Sequence, residues 1–481
     1  MRTKTIKSLL SDSVVYGLSG AITKFLSFLL IPIYTKVLSP ADYGLLAIST
    51  RFYSILLIIV VLGLDSAVYR FFFDTDDQEK RKNVLNSWAL IQLSTTVLIC
   101  VILIVFGDFV GEQIIKSGEP NIDRQIIFLI CGSLVFGILP AIVNAYFRLR
   151  RMAWHAMIFA LLSSLVTIGL SVYWVLYAKK GIVGILSAQC VALFLASGVG
   201  LYVLRDIFSI RDFNLKASRS LVIYGISILP SSLSTVGMQF IISLVLQYEL
   251  SKTALGLFYT GSSFASALTL ITTSFSAAWS PFIFSMIKDE NFEKTLIQAH
   301  SFYLYTMGFI SFLMFTFSKE VLQLLTAPSY YAASWVLGIQ AYVTFIGSLS
   351  VFYILGMSIE KKMKFYPIST ITSSILTVGA SFFMVNMFGI EGVSLAMLLG
   401  QTLLIVMILY FSQKLHPLPF KFGKPIVVVL GMVCIAIVLR IFETGNIKFD
   451  LLYKGGLSMV VFFLVFFITK IYKNINFSAN R

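Results

Sequence analysis

The chain has 481 residues, 58% of them hydrophobic and only 12% charged, with a mean hydropathy of +0.90. A water-soluble domain carries about 25% charged residues, so a soluble enzyme, a secreted disulfide scaffold and a disordered tail are all excluded. A net charge of +15 would point to nucleic acid in a soluble protein; in a membrane chain it reflects basic loops held at the cytoplasmic face.

A helical crossing takes about 20 apolar residues. The first is expected over 13–36, after Arg2, Lys4 and Lys7; no small-residue cleavage site follows, so it reads as a membrane helix and not a signal peptide. The second is expected over 44–64. Each of these two holds an isolated cation, Lys24 and Arg51. Apolar windows follow at 83–107, 125–147, 152–178, 181–204, 220–248, 253–287, 295–318, 321–359, 365–390 and 392–413, with a weaker terminal pair at 425–439 and 455–469. The total is fourteen. Cys100, Cys131, Cys190 and Cys434 all lie inside apolar runs, so neither a disulfide framework nor a metal cluster is expected.

With the N-terminus inside, 25 of the 37 Lys and Arg residues fall in inner segments and 10 in outer ones, the remaining two being Lys24 and Arg51. Both termini are therefore expected in the cytoplasm. The longest loops, near 108–124 and 205–219, are too short to house separate chemistry.

The chain also repeats itself. Tyr16-Gly17 returns as Tyr224-Gly225, and Leu38-Ser39 with Gly44-Leu45 returns as Leu250-Ser251 with Gly256-Leu257. Arg150-Arg151-Met152 matches Lys361-Lys362-Met363, and Gly181-Ile182 with Gly184 matches Gly389-Ile390 with Gly392. In order, these offsets describe a duplication of six helices. Six is even, so the copies enter the membrane in the same orientation, an arrangement that in transporters places the substrate path between the halves. The expected fold is an all-α membrane protein of about fourteen helices: two parallel six-helix repeats forming lobes around a central cavity, plus two C-terminal helices. The expected divisions are 1–204, a linker at 205–219, 220–413, and 414–481.

Tyr16-Gly17, the segment Leu38-Ser39-Pro40-Ala41-Asp42-Tyr43-Gly44, and Gly63-Leu64-Asp65 followed by Arg70-Phe71-Phe72 resemble the N-terminal pattern of bacterial polysaccharide repeat-unit flippases. These belong to the multidrug/oligosaccharidyl-lipid/polysaccharide exporter superfamily. The resemblance implies a non-enzymatic, multi-pass protein of the bacterial inner membrane. Its substrate would be an undecaprenyl-pyrophosphate-linked oligosaccharide, moved to the outer leaflet by alternating access in surface polysaccharide synthesis, as for lipopolysaccharide O-antigen. Its partners would be that substrate, membrane lipids and other polysaccharide assembly proteins, with no nucleic acid. No cofactor is implied; coupling to protons or sodium is compatible with the chain, and the sequence does not name the ion.

A charge at the depth of Lys24 costs at least ~2.5 kcal/mol on insertion scales, so it should face a watery cavity or a partner such as Asp65. Ser13, Gly17, Gly20, Lys24 and Ser27 share one helical face. Arg51 lies about two turns into the second helix, where it either joins Lys24 as a pyrophosphate clamp or snorkels outward. By position, both match the cations that the resemblance places on the first two helices. On the seventh helix Ser232, Thr235, Gln239, Ser243 and Gln247 form one polar face; on the eighth, Ser262, Ser266, Thr269, Thr273 and Ser276 form another. Of these, Gln239, Ser243, Gln247, Ser266, Thr269 and Thr273 are the expected lining of a glycan path, although Ser and Thr also cement helix pairs. Pro32, Pro140, Pro230, Pro281 and Pro367 are expected to kink their spans. His155 and His300 are expected at the interface. A phosphate-binding glycine loop, a Ser-His-Asp signature and metal-ligand spacing are all missing from the sequence. The competing readings are an organic-cation antiporter, which favours cavity carboxylates, and a membrane polysaccharide polymerase, which needs a large external loop.

Overall fold

The structure, a computed structural model, describes residues 2–74, 77–205 and 215–469. Most of the expected linker at 205–219, and the cytoplasmic segment expected from 470 onward, lie outside the described residues. The described residues are helical and contain no strand.

In chain order the helices are α1 (Arg2–Val37), α2 (Pro40–Val61), α3 (Leu64–Phe73), α4 (Gln78–Val105), α5 (Gly107–Val110), α6 (Pro120–Leu149), α7 (Ala153–Val172), α8 (Gly181–Leu204) and α9 (Leu215–Val245). They continue as α10 (Lys252–Ala265), α11 (Leu268–Met286), α12 (Phe292–Thr316), α13 (Ser318–Leu325), α14 (Ser334–Ser348), α15 (Ser350–Tyr353), α16 (Leu355–Ile359), α17 (Phe365–Leu415), α18 (Gly423–Ile441) and α19 (Ile447–Thr469). Single π-helical turns close α5, α7 and α9, at Gly111–Ile115, Tyr173–Tyr177 and Leu246–Leu250.

Among the described residues, eleven helical stretches are long and apolar enough to cross a membrane, or up to thirteen if two bent pairs, α10 with α11 (41°) and α12 with α13 (61°), each count as one. The chain is a multi-pass membrane protein. The expectation of fourteen treats α17 as two crossings. At about 1.5 Å per residue, its 51 residues run more than twice the ~30 Å hydrocarbon thickness. Gly389 interrupts it with a left-handed φ of 59°, at the end of the expected window 365–390 and just before 392–413. Pro32, Pro140, Pro230 and Pro281 lie inside helices. Pro367 does not kink its helix as expected: it sits in the first turn of α17, where a missing N–H leaves no bond unmade.

The chain forms two compact units, 1–256 and 257–481. In the first, α6 packs on α8 and α7, α1 on α7, α4 on α6, and α9 on α2, α3 and α4. Leu64, Val68, Trp88, Ile142, Val143 and Leu221 are the centre of its core. In the second, α12 packs on α14 and α18, and α14 on α17, around Tyr303, Met307, Phe312, Phe352, Ile408 and Met432.

Candidate functional site

The segment Leu38-Ser39-Pro40-Ala41-Asp42-Tyr43-Gly44 begins α2, and its residue types follow from that task. Ser39 Oγ accepts from the Asp42 amide at 3.1 Å, and Asp42 Oδ2 accepts from the Ser39 amide at 3.2 Å, a reciprocal capping box with Pro40 at the first helical position. Gly44 then meets the backbone of Lys252 and Gly256 so closely that a Cβ would run into the Lys252 carbonyl. At the other end of α2, Leu62 and Gly63 take left-handed backbone, and a Cβ on Gly63 would stand 2.5 Å from the Gly225 carbonyl. The two pinches are about 28 Å apart along the helix. Between them α2 and α9 are in side-chain contact.

Arg51 lies in that stretch. Its Nη1 donates to Gln239 Oε1 across the α2–α9 seam, and Phe52 meets Phe240 beside it with ring centroids 5.9 Å apart. The structure thus joins two expected site residues that are 188 positions apart. Arg51 is half-buried and does not snorkel to the surface.

Lys24 is exposed and, among the described residues, has no carboxylate or hydrogen-bond partner. Asp65 does not neutralise it; the charge acting on Asp65 is that of Arg148. Thr23 and Ser27, one on either side of Lys24, return their hydroxyls to the helix backbone, at 3.0 Å each. The Ser13 side chain of the same face lies outside the described residues.

Ser243 and Gln247 are buried. Ser243 Oγ donates to the Gln239 carbonyl at 2.9 Å, and Gln247 Nε2 donates to the Ile114 carbonyl at 2.8 Å. Around Gln247 the end of α9 is tied to the π-turn after α5: Tyr248 OH bonds the Gln113 carbonyl, Lys116 Nζ stands 3.7 Å from the Tyr248 ring centroid, and Lys252 Nζ donates to the Ser117 carbonyl at 3.0 Å.

Ser266, Thr269 and Thr273 belong to the second unit. Each hydroxyl bonds a backbone carbonyl one turn earlier, at 2.6 Å: Ser266 to Ser263, Thr269 to Ser266, Thr273 to Thr269. Ser266 and Thr273 remain exposed, with their oxygen lone pairs free to accept.

Two polar sites in the second unit carry no sequence motif. Lys454 is fully buried; its ammonium donates to Glu320 Oε1 at 2.6 Å, to Glu443 Oε1 at 2.9 Å and to the Thr316 carbonyl at 3.2 Å. Arg440 and Lys319 complete the cluster on Glu443. Burial works to raise the Glu443 carboxyl, but the Lys319 and Lys454 hydrogen bonds and the Arg440 charge outweigh it and hold the group below its usual range. His300, expected at the interface, is instead completely buried, with Nε2 2.9 Å from Tyr353 OH and Phe352, Phe420 and Phe422 around its ring. Its aromatic neighbours lie 52 to 122 positions away in sequence, so spacing alone carries no sign of the cage. His155 is exposed.

The sequence profile described as "Polysaccharide biosynthesis protein" matches residues 9–288, more than half of the chain. A protein of the Lsg locus of Haemophilus influenzae is 21% identical, over 68% of this chain and 77% of that relative. Among solved structures, the lipid II flippase MurJ in an inward closed conformation superposes with a TM-score of 0.72 at 16% identity, over 97% of this chain and 100% of that one. An inward-facing multidrug-resistance transporter of the MATE family, in the MOP superfamily, superposes at 0.69 and 17%, over 83% and 97%. The solved folds it shares are those of transport proteins, and the chain belongs to the polysaccharide biosynthesis protein family.

Proposed function

We propose that the chain is a flippase for undecaprenyl-pyrophosphate-linked oligosaccharide repeat units, working by alternating access in the bacterial inner membrane with both termini in the cytoplasm. The observation that carries this reading is Lys24, an intramembrane cation without a counter-ion among the described residues, on a polar helix face. Such a charge is costly in hydrocarbon and defaults to a functional role. Pyrophosphate is the counter-ion it awaits. Arg51, whose guanidinium donates to Gln239 Oε1, is the second member of the clamp, since a guanidinium can grip phosphate oxygens in bidentate fashion. The hydroxyls of Ser266, Thr269 and Thr273 serve the sugar, whose hydroxyls pair with neutral acceptors. Ser243 supports Gln239 through its carbonyl. Family membership and the flippase-like fold support the reading, and other polysaccharide assembly proteins are the natural neighbours of such a step.

An organic-cation antiporter of the same fold calls for an accessible intramembrane carboxylate. Here the first helix presents the cation Lys24 instead, which disfavours that reading. A polymerase would need an external loop longer than any expected in this chain.

The test is substitution at Lys24 with protein abundance and surface glycan measured in the same cells. Lys24→Ala should abolish surface polysaccharide at normal abundance, and Lys24→Arg should retain part of it, since the charge survives. Lys24→Glu should do no better than Ala, because it sets an anion against an anionic substrate. Normal export by Lys24→Ala would refute the clamp.

A further inference from the structure

An apolar cleft of about 800 Å³ opens on the first unit, with α6 as its floor and α4 and α8 as its walls. That volume falls in the ~300–1,000 Å³ range of ligand pockets. Leu93, Phe136, Phe194 and Leu201 line it. Its few polar groups are already engaged: Ser197 Oγ donates to the Phe136 carbonyl at 2.6 Å, and Asn86 is buried with partners of its own. Leu93, Phe194 and Leu201 stay exposed on a membrane-spanning surface, so the medium that fills the cleft is hydrocarbon.

All three helices carry basic residues at the same end. Asn86 is about 6–9 Å along α4 from Lys80, Arg81 and Lys82, Ile142 about 9 Å along α6 from Arg148, and Leu201 about 6 Å along α8 from Arg205. Arg150 and Arg151 follow Arg148; the acids at this end among the described residues are Asp65, on which the Arg148 charge acts, Asp74, Asp77, which pairs with Lys80, and Glu79. The basic side chains outnumber them, and Arg148, Arg150, Arg151 and Arg205 are exposed. An apolar slot one or two turns below a cationic rim has the dimensions of a lipid whose phosphate lies at the rim and whose chain enters the slot.

We propose that this cleft is a binding site for one acyl chain of an anionic phospholipid, its phosphate held by the basic ends of α4, α6 and α8. The inference goes beyond the transport reading and does not depend on it, because phospholipid occupancy can be read without any flipping.

The experiment is photolabelling of the purified full chain in vesicles of phosphatidylethanolamine and phosphatidylglycerol, using phosphatidylglycerol with a diazirine in its acyl chain. Label should concentrate in peptides of α4, α6 and α8. Gly198→Phe should reduce it several-fold; a Cβ there meets nothing within 4 Å, so the ring can enter the slot without a clash at its root. Should that variant fail to fold, Leu93→Trp fills the slot from the opposite wall. Arg150→Gln with Arg205→Gln should also reduce labelling, and a phosphatidylcholine probe should label several-fold less. Unchanged labelling in the filled-cleft variants, or equal labelling by phosphatidylcholine, would overturn the proposal. So would loss of the label only on adding undecaprenyl phosphate, since the occupant would then be the isoprenoid carrier.

Discussion

Arg51 and Lys24 are legible in the sequence because each is a lone cation in an apolar run, and bilayer energetics make such a charge conspicuous. The partner of Arg51 is not legible. Gln239 shows itself as one of five polar residues on a helical face, but which neighbour that face meets depends on the axial register of α2 against α9, which the backbone contact of Gly63 with Gly225 helps to fix. The same limit explains Gln247, read as lining and found bonded to the Ile114 carbonyl. The Arg51–Gln239 bond yields a coupling prediction. Gln239→Leu should insert and accumulate, because an apolar side chain is inexpensive in a membrane helix, while transport falls. Arg51→Lys should then cost less transport in the Gln239→Leu background than in the wild type, and a double-mutant cycle on export rate measures the difference. Interhelical hydrogen bonds in membranes average ~0.6 kcal/mol, so a coupling near that size is expected; strict additivity would separate the two residues.

At the scale of elements, the residues that carry the family resemblance prove to be points of close approach. Gly63 pairs with Gly225, Gly44 with Gly256, and Arg70 and Phe71 pack on Tyr224, at 5.0 and 6.0 Å to its ring centroid. Two glycines matched across the repeat, Gly181 and Gly389, share a left-handed backbone, with φ of 53° and 59°. Apolar length and glycine identity are local properties, which is why windows and turns can be read from sequence while the packing partners cannot. Gly225→Ala should lower the unfolding midpoint of the detergent-solubilised protein, since overpacking costs ~1–3 kcal/mol. Gly431→Ala, where a Cβ meets nothing within 4 Å, should leave the midpoint unchanged or raise it. The Lys454 cluster makes a second case. Lys454→Met strands Glu320, which is 2% exposed, and should destabilise by ~3–5 kcal/mol; adding Glu320→Leu should restore much of the loss. Because Glu443 is held below its usual range, the stability it contributes is complete above the ordinary carboxylate pKa and is lost as pH falls through the depressed value. Thermal midpoints measured downward from neutral pH should therefore drop more steeply in the wild type than in Glu443→Gln.

For the whole molecule, composition alone led to a multi-pass helical protein, because a 12% charged chain cannot cover itself in water. The division into compact units at residue 256 has no compositional mark, as it follows from α9 packing on α2, α3 and α4 rather than from any polar linker. The central claim concerns transport, and it is tested most directly by asking where the lipid-linked glycan goes. In cells that make the glycan, removing this chain should trap undecaprenyl-linked repeat units in the inner leaflet, protected from a glycan-modifying reagent added outside. Restoring the wild-type chain should return them to the outer leaflet, and restoring Lys24→Ala should not. Outer-leaflet repeat units at normal levels in the absence of the chain would contradict the account.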